Sequence, residues 1–237
     1  MKKLTLRDKS QIYAKGIQFH TYCPRVIYRH FWKNGDPFIE KFHEKKAIFI
    51  HIPKTAGKSV ANAIFNSSVG HRPIHRYFSY HPEKAASYFK FTFVRNPWDR
   101  LFSAYNYFNA VVGKSDHRDH RWANSYLSNI NSFESFVYKL QNPCFLKQIK
   151  RYDHFRNQVD WITNPQSGCI EIDYIGRFEN LFHDFCQIIK CLDVNLELEH
   201  LNKGTSNSSY KYQYNQKMID IVERSYYEDV TILNYEF

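Results

Sequence analysis

Three short apolar runs, each followed by a helix-like segment, constrain this chain more than any other feature. They are AIFIHI (47–52), FKFTFV (89–94) and IEIDYIG (170–176), and the segments behind them cover 58–66, 97–109 and 179–191. Runs this short and this apolar suit strands buried on both faces. Repeated strand-then-helix order predicts an α/β architecture with a mainly parallel central sheet flanked by helices. A further amphipathic helix is expected over 132–140, with Asn131 as its N-cap and Glu134 three residues on. Another is expected from about 215 to 229, before the aromatic ending LNYEF. GKSDHRDHRWAN (113–124) reads as a polar connection. Residues 1–45 read as an irregular or helical lead-in packed on a main domain of 46–237.

The chain has 237 residues, enough for one sizeable core. With 20 Phe, 18 Tyr and 4 Trp, that core is expected to be strongly aromatic. The formal charge of +10 favours polyanionic partners without choosing among them. Basic residues are scattered rather than gathered on one helix, and no reader motif appears, so nucleic acid is not expected. Five cysteines without a C-x-x-C pair argue against zinc or a disulfide framework. The opening MKKLTLRDKSQIYAKG lacks the apolar stretch of a secretory signal, and no window reaches the length of a membrane span. A cytoplasmic location is the resulting expectation.

The chemistry concentrates at two strand ends. The first run leads into Pro53-Lys54-Thr55-Ala56-Gly57-Lys58-Ser59, with a helix beginning near Lys58. A helix start offers unpaired N–H groups and the positive end of the dipole, Gly57 allows close backbone approach, and Lys54, Thr55, Lys58 and Ser59 add donors. Gly57-Lys58-Ser59 spells the end of an ATP-binding loop, but Ile52 stands where its first glycine belongs, and no convincing acidic partner for Mg²⁺ follows. The second run ends in VRNPWDRLFSAY (94–105). There Asn96 can cap, Pro97 suits the first helical position, and Ser103 returns about two turns later to the capped face. Arg95 and Ser103 can therefore converge on one anion. A helix cap whose arginine makes a surface ion pair is the plainer alternative.

IFIHIPKTAGKS, followed by YFKFTFVRNPWDRLFSAY, resembles the two donor-binding loops of the carbohydrate-type sulfotransferases, and the likeness continues through DYIGRFENLFHDF and YYEDVTILNYEF. The resemblance covers roughly 46–237 and implies a P-loop-like three-layer fold. It also implies a small-molecule sulfate donor, 3′-phosphoadenosine 5′-phosphosulfate (PAPS). Lys54, Thr55, Ala56, Gly57, Lys58 and Ser59 would hold the 5′-phosphosulfate, and Arg95 and Ser103 the 3′-phosphate. Lys203 would lie in a loop closing over the nucleotide. Lys58 departs from the family, which usually has Thr or Ser there.

The resemblance implies in-line transfer to an acceptor hydroxyl, that of a saccharide, with Lys54 neutralising charge and no metal. Histidine suits the general base. Family spacing favours His71, then His75, with His81 also in reach. His51, between two isoleucines, reads as a core histidine. Arg177 and Glu179 either orient the loops or pair to secure a strand end. His154, Arg156 and Gln158 are polar enough to meet a sugar, although a plain amphipathic segment explains them too. A nucleoside-triphosphate-dependent kinase and a non-catalytic basic binder are the competing readings.

Overall fold

A computed structural model describes residues 35–194 and 208–237. Most of the expected lead-in, and Lys203, lie outside the described residues. Strand β1 (Ala47–Ile50) is buried along its whole length. It pairs in parallel with β2 (Phe89–Val94), Ile50 standing opposite Thr92. In turn β2 pairs in parallel with β3 (Tyr174–Arg177), Val94 opposite Arg177. The order β1-β2-β3 places β2 at the centre. Helices flank this sheet, as parallel strands buried on both faces require.

Helix α1 (Glu40–Lys45) precedes β1, and α2 (Gly57–Phe65) leaves its carboxyl end. Phe42 of α1 meets Phe65 of α2 edge-on at 5.1 Å, and Phe49 stacks on Phe91 across β1 and β2 at 4.9 Å. After α3 (Ile74–Tyr80) and α4 (Pro82–Ser87), the chain enters β2 and then α5 (Pro97–Asn109). The loops after β1 and β2 thus emerge side by side at the carboxyl edge of neighbouring strands, where open α/β sheets bind ligands. No helix of the described residues is long and apolar enough to cross a membrane.

Four expectations are corrected. The run 170–176 is not one strand: Cys169–Ile170 pairs antiparallel with Thr163–Asn164, and β3 starts only at Tyr174. Asp173 marks the break, its carboxylate accepting from the Lys90 N–H at 2.8 Å and pairing with the Lys90 ammonium at 2.9 Å. The polar connection contains helix α6 (Arg118–Leu127), because Trp122 packs 4.7 Å from Phe108 and 4.5 Å from Tyr152, and tertiary burial outweighs the polar composition. The cap of α7 (Phe133–Lys139) is Ser132, which accepts from the Ser135 N–H at 3.1 Å, while Glu134 accepts from the Tyr138 hydroxyl instead of reaching back. The helix expected over 215–229 is two. These are α11 (Gln216–Ser225) and α12 (Tyr227–Ile232), which part at Tyr226, whose hydroxyl is drawn to the carbonyl of Phe155.

Between α7 and α11 run α8 (Pro143–Lys150), the short α9 (Val159–Ile162) and α10 (Leu181–Cys191). A buried chain of bonds links α12 to the second loop. Asp229 accepts from the N–H groups of Gln158 and Val159 at 2.9 and 3.0 Å. Gln158, fully buried, then brackets Arg95, accepting from its N–H and donating to its carbonyl, both at 2.8 Å. Burial pushes the Asp229 carboxyl up to about 6, against the opposing pull of Arg100 and the two amides. Asp229→Ala orphans two buried donors and is expected to cost about 3–5 kcal/mol in urea unfolding. A loss under 1 kcal/mol would mean water replaces the carboxylate.

Candidate active site

The loop after β1 has a backbone that few side chains favour. Lys54 and Ala56 both sit at positive φ, 73° and 63°, a conformation costing roughly 1–2 kcal/mol for each non-glycine residue. Thr55, buried between them, fixes the turn by donating its hydroxyl to the Ile52 carbonyl at 2.9 Å. Two guanidinium groups then hold the loop from behind. Arg100 Nε donates to the Pro53 carbonyl, and Arg95 Nη1 to the Lys54 carbonyl, each at 3.0 Å. With those carbonyls committed, the N–H groups of residues 54–58 give no hydrogen bond among the described residues. Successive amides in this alternating geometry form an anion-binding nest at a helix start. Lys58 and Ser59 stand exposed at its rim.

Lys54 is the charged group of the nest. Burial first, and then the charges of Arg95, Lys58 and Arg100, push its ammonium down to about 8. Arg95 itself is gripped by Asp99, which takes Nε and Nη2 at 2.8 Å each, and it stacks 4.0 Å over the Phe178 ring. Three of its five N–H groups are thereby used within the protein. Asn96 caps α5 as expected, accepting from the Trp98 N–H at 3.1 Å. Ser103 lies partly buried two turns along the helix, and its hydroxyl has no hydrogen-bond partner among the described residues.

Glu179 and Arg177 are not paired with each other. Glu179 accepts from the Asn96 N–H at 2.6 Å, which ties it to the second loop. Arg177 donates to the Leu233 carbonyl at 2.6 Å and lies over Tyr235, which ties the end of β3 to the C-terminal tail.

His71 stands against the first loop. Its Nδ1 lies 2.9 Å from the carbonyl oxygen of His51, and a carbonyl only accepts. In the neutral ring the proton therefore sits on Nδ1, leaving the Nε2 lone pair to act as base. Burial holds His71 below its ordinary range, partly offset by that hydrogen bond. The His51 ring packs 4.2 Å from that of His71, and burial together with His71 and Lys58 drives it down to about 3, in keeping with a core histidine. His75 is buried in α3, and burial with nearby Arg156 and Arg76 lowers it to about 4. His81 is exposed at the start of α4, where Nδ1 caps the Lys84 N–H at 3.4 Å.

Tyr107 and Arg100 were not among the expected site residues. They stand with Asn96 and Ser103 at helical spacing, 96, 100, 103 and 107, and this stripe of α5 was the available signal. His154 also reaches the site, its ring 6.1 Å from that of His71 and stacked on Tyr107 at 5.4 Å. Burial drives it down to about 3.

A nest of free amides, a partly buried lysine and an adjacent histidine with its acceptor nitrogen available suit transfer of an anionic group. The sulfotransferase family model matches residues 38–236. The chain belongs to the sulfotransferase family. No curated protein and no solved structure gives a significant match. This sulfotransferase domain match starts ahead of residue 46, and Phe38 and Phe42 are indeed buried in the core.

The first loop of this sulfotransferase also shows why Gly57 is glycine. A Cβ there would lie 1.8 Å from His51 Cδ2, inside the ring that packs against His71. Gly57→Ala is therefore expected to displace His51 and cost about 1–3 kcal/mol in denaturant unfolding, as overpacking does. A variant as stable as the parent would show that the ring yields freely.

Proposed function

We propose that this sulfotransferase domain moves a sulfuryl group from PAPS to a hydroxyl of an acceptor, a saccharide in the leading case. The observation that carries the reading is the nest of unpaired amides at 54–58 beside His71, whose Nδ1 is already committed to a carbonyl. The loop of Thr55, Ala56, Gly57, Lys58 and Ser59 would cradle the 5′-phosphosulfate. The two N–H groups that Arg95 keeps, with the Ser103 hydroxyl, would take the 3′-phosphate. Lys203 would add a charge from outside the described residues.

In the step itself the acceptor O–H gives its proton to His71 Nε2 as its oxygen bonds to sulfur. The bond from sulfur to the bridging phosphate oxygen breaks, and adenosine 3′,5′-bisphosphate leaves with the electron pair. Lys54 meets the charge that grows on the bridging and non-bridging oxygens, and the amides meet the rest. Neither task needs covalent help from the protein. His75 is a weaker base, because a ring held near 4 accepts a proton less readily.

His71→Ala is expected to lower turnover by roughly 10²–10⁴-fold while leaving bisphosphate affinity, measured by titration calorimetry, near the parent value. Retained turnover would reassign the base. Binding that requires Mg²⁺ and prefers ATP would instead support a kinase. The pH profile follows from two directions of shift. His71 is lowered, so it is neutral, and competent, from below its ordinary range upward. Lys54 is lowered to about 8, so in the free protein its charge is lost as pH rises through that value. The profile of kcat/KM should then be a bell whose acid limb lies below about 6.5 and whose alkaline limb lies near 8. Lys54→Arg should remove the alkaline limb while leaving the acid one.

A further inference from the structure

The Lys54 ammonium makes no hydrogen bond or ion pair among the described residues, although it is largely buried. The charged and titratable groups acting on it from neighbouring elements are Arg95 at the end of β2, Lys58 on α2, Arg100 on α5 and His154 ahead of α9. None is a carboxylate. Its favourable contact is aromatic: Nζ lies 4.7 Å from the centroid of the Tyr107 ring. A cation over a tyrosine face is attracted by the ring quadrupole, more strongly where water is excluded.

Tyr107 is 39% exposed, yet its ring is fixed. The hydroxyl donates to Asp119 Oδ2 at 3.0 Å, and the other oxygen of Asp119 accepts from the Tyr152 hydroxyl. The ring also lies parallel to that of His154, 7° apart. A lysine side chain has four rotatable bonds and loses much freedom when held in one place. A fixed face gives it a preferred place before any anion arrives.

We propose that Tyr107 is a positioning residue, its ring face, kept parallel to that of His154, holding the Lys54 ammonium at the mouth of the amide nest. This rests on the reading of Lys54 as the group that meets the transferred oxygens. Tyr107 does not touch the reacting atoms; it acts through Lys54, delivering a charged side chain already placed and keeping it charged against its cationic neighbours.

The test is a titration of the ligand-free full chain carrying [¹³Cε]lysine, with the Lys54 resonance assigned by Lys54→Arg. In Tyr107→Leu the Lys54 midpoint should fall by about 0.5–1.5 pH units, the free energy of a cation–π contact expressed as a proton affinity. Tyr107→Phe, which keeps the face, should titrate like the parent. Turnover with PAPS should fall by about tenfold in Tyr107→Leu and recover in Tyr107→Phe. A midpoint that stays or rises in Tyr107→Leu, or that falls equally in Tyr107→Phe, overturns the proposal. If Tyr107→Leu lowers the melting temperature markedly, Tyr107→Met gives the same comparison. The titration contains no nucleotide, so it fails separately from bisphosphate binding, which tests the donor reading.

Discussion

The two guanidinium groups behind the first loop hold the rest of the site in place. Arg100 takes the Pro53 carbonyl and Arg95 the Lys54 carbonyl. A peptide plane is rigid, so fixing its oxygen on one side fixes its N–H on the other. The loop then presents amides rather than carbonyls to the cleft, and two residues accept the left-handed conformation that this demands. Without the arginines nothing among the described residues would satisfy those carbonyls, and the loop would gain by relaxing. Arg95 also belongs to the second loop, so one side chain sets the spacing between the two.

Such a site is built from interactions that oppose stability. Lys54, Arg95, Lys58 and Arg100 crowd positive charge together, and burial makes the repulsion stronger. Partial relief comes from Asp99, which clasps Arg95, and from Asp229, whose charge acts on Arg100. Lys54 has no carboxylate partner among the described residues, only the Tyr107 ring face. An anion bound there would supply what the protein withholds, which is why a lysine without a carboxylate partner marks the cleft more clearly than a salt-bridged one.

Much of this was legible in the residues. The apolar runs gave β1 and β2 their limits nearly to the residue, even though β2 buries Lys90 and Thr92 among its phenylalanines. Helix α5 was readable from Asn96 and Pro97, whose roles depend only on local geometry. The third run misled because Asp173 is satisfied by β2, 83 residues away in sequence, a pairing no local pattern contains. Helix α6 was hidden for a related reason: Arg118, Arg121 and Ser125 are exposed, while Trp122 finds its partners on α5 and around Tyr152. At the two loops, the residues that come together were visible, but the groups that place them were not. Arg100, Gln158 and Tyr107 act through backbone carbonyls, a bracketed peptide and a ring face, none of which leaves a motif.

Lys58 shows how a backbone donor is indifferent to the side chain it carries. A hydroxyl at this position would add one directional donor to the nest. The lysine gives that up, yet its N–H remains in the series, since an amide does not depend on the side chain attached to it. The exposed ammonium adds positive charge at the helix start, where an anion gains most. That charge also reaches inward, since Lys58 is among the groups that lower both His51 and His71. A cation at the rim therefore favours the anion and, at the same time, disfavours protonation of the neighbouring histidine. Both effects support the same state of the cleft, with a neutral imidazole facing a bound negative charge.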